Sequence, residues 1–136
     1  MKIILDILNK NKWHKNKNIN KNIIQVIIEK YDIPNEYKEF MELNNGGEGN
    51  IGQNYLYLWK IENIEQLNKD YDIQKYLGKN CYAFGTDGGD KCYCFDKNNG
   101  NKIIKCGLGD LDYNEIKIIA NSFTEFIGKL DKKYIE

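Results

Sequence analysis

The chain has 136 residues, enough for one ordinary domain with a sizeable core. A 41% hydrophobic and 12% aromatic content argues against disorder, and no apolar run approaches the roughly 18 residues of a membrane span. The formal net charge is zero and all 20 basic residues are lysine, which excludes guanidinium clamps on phosphate or guanine. The charge is unevenly spread. Residues 1–30 hold seven lysines against Asp6 and Glu29, whereas residues 31–136 hold 13 lysines against 18 carboxylates. An acidic body with a basic arm suits a partner with a basic surface better than nucleic acid.

Met1 to Leu8 is apolar but interrupted by Asp6, and no small-residue cleavage pattern follows, so it does not read as a signal peptide. The expectation is a soluble cytoplasmic protein whose four cysteines stay reduced. Eleven of the fourteen residues 9–22 are Asn or Lys. This stretch predicts a loop-like, low-complexity arm from which Trp13 tucks into the body. Lysines flanking an aromatic also suit a single-stranded nucleic acid, but the rest of the chain offers no matching basic surface.

Apolar density from Ile23 to Tyr31 predicts a largely buried helix, although periodicity alone does not distinguish it from a strand, and Asp32-Ile33-Pro34 breaks and restarts the chain. Tyr37, Phe40 and Met41 give one face to a second helix, ended by Gly46-Gly47. Tyr55 to Trp59 is apolar on both faces and predicts an interior strand, followed by an amphipathic helix on Ile61, Ile64, Leu67 and Tyr71. Three strands follow, over residues 80–85, 91–96 and 102–106, joined by Thr86-Asp87-Gly88-Gly89-Asp90 and by Asn98-Asn99-Gly100-Asn101. Ile119, Phe123, Phe126, Ile127 and Leu130 repeat at helical spacing and predict the closing helix. The order predicts an α+β fold: an antiparallel sheet with helices on one face, N-terminal and C-terminal to the strands.

Catalytic candidates are few. His14 is the single histidine and lies in the arm; Ser122 is the single serine, and no Ser-His-Asp set can be assembled. Gly47-Glu48-Gly49-Asn50-Ile51-Gly52 matches G-x-G-x-x-G, but a helix precedes it and a strand follows, the reverse of what a pyrophosphate site needs. Asp87, Asp90 and Asp96 surround a glycine turn, and Asp110 with Asp112 forms a second acidic group. Neither has the twelve-residue calcium-loop spacing, and Asp87-Gly88-Gly89 reads as turn chemistry. Cys92 and Cys94 share one strand face, while Cys81 and Cys106 lie far off in sequence. Zinc needs four converging ligands, so the cysteines read as small core hydrophobes. No catalytic residue, cofactor or metal ligand is assigned.

Several segments, taken in order, resemble the SUKH superfamily, the group that contains the fungal Smi/Knr cell-wall regulator and many bacterial immunity proteins. They are Ile33-Pro34-x-x-Tyr37-x-x-Phe40 with Asn45-Gly46-Gly47, Leu58-Trp59, Leu67-Asn68, and Phe84-Gly85-Thr86-Asp87-Gly88-Gly89. Tyr93-x-Phe95-Asp96 and Ile119-Ala120-x-Ser122-Phe123-x-x-Phe126-Ile127 complete the set. Residues 1–22 lie outside it, leaving one SUKH domain carrying a basic N-terminal arm. The resemblance implies a non-catalytic immunity protein that neutralises a cognate secreted or contact-delivered toxin, often a nuclease, by direct binding. It implies as the alternative a regulatory scaffold of the fungal kind. The expected partner is a basic toxin protein met by Glu48, Asp87, Asp90, Asp110 and Asp112, without direct nucleic-acid or membrane contact, by a monomer or weak homodimer. Many nuclease inhibitors are strongly acidic, and this neutral chain departs from that.

Overall fold

The computed structural model describes residues 1–136. Its elements in chain order are α1 (Lys2–Lys10), α2 (Lys21–Tyr31), α3 (Asn35–Asn44), β1 (Gly47–Ile51), β2 (Asn54–Leu58), α4 (Ile61–Asp70) and α5 (Ile73–Leu77). Then come β3 (Cys81–Thr86), β4 (Lys91–Asp96), β5 (Lys102–Gly107), β6 (Lys117–Ala120) and α6 (Phe123–Lys132). The strands form one antiparallel sheet in the order β1-β2-β3-β4-β5-β6. The α+β expectation is met, with helices at both ends of the chain.

The core is aromatic for a periodic reason. Along β4, Tyr93 and Phe95 point to one side of the sheet while Cys92, Cys94 and Asp96 point to the other. On the first side Tyr37 of α3 meets Phe84, Phe95 and Phe123 at ring-centroid distances of 5.3, 5.2 and 5.0 Å. Phe126 of α6 reaches Tyr93 edge-on at 4.7 Å. The Tyr37 hydroxyl is buried without a hydrogen-bond partner, and burial pushes its ionisation far above the usual range. An unpaired buried hydroxyl costs free energy, so Tyr37→Phe is expected to raise stability by about 1 kcal/mol. Urea unfolding measures it, and a lower midpoint for the variant would show that the hydroxyl is bonded after all.

Four sequence expectations need correction. Ile119 lies on β6, and α6 begins only at Phe123. The helix start is fixed by Ser122, whose Oγ accepts from the Glu125 N–H at 3.1 Å, while Glu125 accepts from the Asn121 N–H at 3.0 Å. Second, β2 is apolar on one face only: Leu56 and Leu58 are buried, whereas Tyr55 and Tyr57 are 38% and 42% exposed. Third, the glycine-rich run 47–52 is largely strand β1. Fourth, residues 2–10 form α1, so the loop begins only at Asn11.

The remainder of the arm is docked. Trp13 lies against β1, with Nε1 3.3 Å from the Gly46 carbonyl, and a side chain at Gly47 would collide with its ring at 2.5 Å. His14 exchanges both backbone bonds with Glu48 at 3.1 and 3.0 Å, extending the sheet edge by one bridge.

Two side-chain amides finish the sheet elsewhere. β2 pairs with β3 only at Tyr57↔Thr86 and Leu58↔Gly85, so the first half of β3 is paired with β4 on one edge and has no strand on its β2-side edge. Asn68 of α4 fills that gap: its Oδ1 accepts from the Ala83 N–H and its Nδ2 donates to the Ala83 carbonyl, each at 2.9 Å. Gln74 of α5 donates to the Cys81 carbonyl at 2.7 Å. Asn45, in left-handed conformation after α3, likewise caps α4 by accepting from the Ile61 N–H at 2.9 Å.

Candidate functional site

The acidic residues singled out by the sequence lie on three segments that meet at one end of the sheet. Glu48 on β1 accepts from the Tyr55 hydroxyl at 2.6 Å. The Tyr55 ring packs over Gly88, where a β-carbon would sit 2.6 Å from it. The 86–90 turn is joined to the loop after β5 by the Leu108 N–H donating to the Asp90 carbonyl at 2.7 Å. Asp110 follows in that loop, bridged to Gly107. Glu48, Asp90 and Asp110 thus fall along one strip, interleaved with Tyr55.

Asp110 stands between two clefts. One, of about 430 Å³, is lined by Asp70, Tyr71, Asp72, Tyr76, Leu108 and Asp110, among others. The other, of about 420 Å³, mixes Asp110, Asp112, Glu115 and Glu136 with Lys91, Lys105 and Lys117. The first combines aromatic and negative groups, and the second is close to balanced in charge.

Two of the five acidic residues have structural work as well. Asp112 accepts from the Asn114 N–H at 2.9 Å and starts a short 3-10 turn. Asp87 closes its own turn, accepting from the Gly89 and Lys91 N–H groups at 2.9 and 3.3 Å. It also faces Lys105 at 3.9 Å. Lys105 is buried, and burial pulls its ammonium below the usual lysine range while Asp87 partly restores it. Asp96 stands apart from the Asp87 turn. It lies at the other end of β4, about 20 Å along the strand from Asp90. Its carboxylate is buried and accepts from Asn98, Asn99 and Tyr113.

The exposed tyrosines were missed. Tyr55 and Tyr57 alternate with Leu56 and Leu58, a period-two signal obscured because both residue types count as hydrophobic. The convergence of Cys106 with Cys92 and Cys94 was missed too. Cys106 pairs directly with Cys92 across β4 and β5, a neighbourhood set by strand register that sequence spacing does not show. The candidate nucleophile Ser122 is occupied as the cap of α6, while His14 is held only by its backbone in the bridge to β1 and keeps an exposed side chain.

The helix–meander–helix order, its aromatic core and its motifs define a known class of protein. Residues 18–129 match the model of the SMI1 / KNR4 family (SUKH-1), and the chain belongs to that family. No curated protein matches the chain at a significant level. No helix is long and apolar enough to cross a membrane.

Proposed function

We propose that this protein is a cytoplasmic, non-catalytic immunity protein that binds a basic, toxin-bearing protein, a nuclease in the leading reading, and blocks it by direct contact. The observation that carries the reading is the strip of Glu48, Asp90 and Asp110 alternating with exposed Tyr55 and, on the same strand, Tyr57. Carboxylates steer a cationic partner and set its orientation. Tyrosines supply contact area with little rotamer entropy to lose. Family membership supports a protein of the SUKH type.

The first test is co-expression with whatever toxin-like domain is found encoded immediately upstream, followed by recovery of the complex. Survival with a stable complex supports the reading. Death despite soluble expression, with no complex, shifts it to a regulatory scaffold for another cellular protein. A second test addresses the strip itself. Asp90→Lys combined with Asp110→Lys is expected to slow association about tenfold at low salt and to flatten its salt dependence. Asp87 is left intact there, because a lysine at that position would face buried Lys105 and confound binding with folding. Unchanged association rates in the folded double variant would place the interface elsewhere.

A further inference from the structure

Three of the four cysteines converge on one point. The Cys92 and Cys106 sulfurs are 3.4 Å apart and those of Cys92 and Cys94 are 4.0 Å apart. All three sulfurs lie within 4.8 Å of one another, buried and as free thiols. The strand geometry imposes this: Cys92 is directly opposite Cys106, and Cys94 is two residues along the same face. Cys81 does not join them, its sulfur lying 3.7 Å from Asp96. No histidine, aspartate or glutamate joins them either.

The geometry points to a metal site: we propose that Cys92, Cys94 and Cys106 bind a single monovalent copper ion in three-coordinate, all-sulfur ligation. Sulfurs placed about 2.3 Å from a central ion in a trigonal array stand about 4 Å apart, which is the spacing these thiols already have. A structural zinc ion takes four ligands, and the fourth is missing here. Soft thiolate sets without a fourth donor suit monovalent copper. Entry is provided by Cys106, which lies one residue beyond the β5–β6 ladder and lines the cleft shared by Lys91, Asp110 and Asp112. The carboxylates there attract a cation, and Lys91 offsets the negative charge of the ligated thiolates. Each thiol that ligates releases its S–H proton to solvent, and copper remains monovalent throughout.

The test uses the full reduced chain under anaerobic conditions, titrated with monovalent copper held by a coloured chelator. The expected result is withdrawal of one equivalent, with three sulfurs and no nitrogen or oxygen around copper by X-ray absorption. Cys106→Ser and Cys94→Ala should each weaken retention at least tenfold, while Cys81→Ser should retain copper like the parent. If the first two variants fail to fold, the ligand count on the parent chain decides. Copper should also raise the melting temperature of the parent and of Cys81→Ser. No withdrawal by the folded parent, ligation by two sulfurs, or zinc held as tightly in a parallel titration would overturn the assignment. This site stands or falls independently of the toxin-binding reading.

Discussion

Phe84→Ala is expected to lower the free energy of unfolding by about 4 kcal/mol. The Phe84 ring is fully buried and stacks on Phe95 at 4.5 Å. It lies 5.3 Å from Tyr37, and Phe126 meets it at 90° and 6.0 Å. Removing it deletes the transfer energy of a phenyl group and leaves a void bounded by other rings. Those rings come from α3, β4 and α6, so collapse of the void would require elements on both layers to move together. Against a typical total of about 5–15 kcal/mol, the variant sits near the threshold of folding. Urea denaturation checks it: the midpoint should fall sharply with the slope unchanged. Phe84→Leu should recover most of the loss, whereas a loss under about 1 kcal/mol in Phe84→Ala would mean that the cluster repacks.

Asn68→Leu is expected to cost about 3 kcal/mol, for a different reason. The substitution keeps the branched shape of the side chain, enlarges it and adds apolar surface at a buried position, so hydrophobic transfer alone predicts no loss. The loss arises because the Ala83 N–H and carbonyl have no other partner once the amide is gone. Two buried backbone groups then go unsatisfied, each costing about 1–3 kcal/mol. Gln74 also loses its 3.0 Å bond to the Asn68 oxygen. Hydrogen exchange distinguishes the accounts: the Ala83 amide should lose protection beyond what the global destabilisation explains. Asn68→Asp should fare little better, since it keeps an acceptor for the N–H but loses the donor to the carbonyl. The Leu67-Asn68 pair that contributes to the family resemblance thus has a physical role, as a side-chain stand-in for the missing length of β2.

The parts of the fold that were readable in the sequence are those where one periodicity acted alone. Tyr37, Phe40 and Met41 marked α3; Ile61 and Ile64 marked α4; and the glycine and Asn-Gly turns marked the β3–β4 and β4–β5 hairpins. The failures have particular causes. β1 is rich in glycine, a residue with weak strand preference, and is held by pairing with β2 and by Trp13 packing on its glycines. α1 was hidden because it is short and rests on α6, with Lys10 2.7 Å from Asp131 and Asn11 3.2 Å from the same carboxylate. Ile119 fell in phase with α6 by coincidence, and the Ser122-x-x-Glu125 capping signature marks the true start.

The site was readable in composition but not in arrangement. The acidic residues of the strip come from three separate segments, and only the Tyr55–Gly88 contact and the Leu108–Asp90 bond show that they adjoin. Asp87 and Asp96 resemble their neighbours in sequence yet serve the fold, one opposite Lys105 and the other beneath Tyr113. Local pattern reports which residue types are near in sequence; register and loop packing determine which meet.

The strand order carries a consequence for how the chain is made. Each strand's ladder is to the strand just before it, so a chain leaving the ribosome can add rungs in the order in which they are synthesised. Five of the six strands are complete by Gly107, long before Phe123 and Phe126 emerge to cover the rings of β3 and β4. During that interval α3 alone covers this aromatic face, through Tyr37 on Phe84 and Phe95, and the last fourteen residues complete the cover. Truncation near the C-terminus therefore removes the lid from an already assembled sheet, leaving a sticky particle in place of a smaller folded protein.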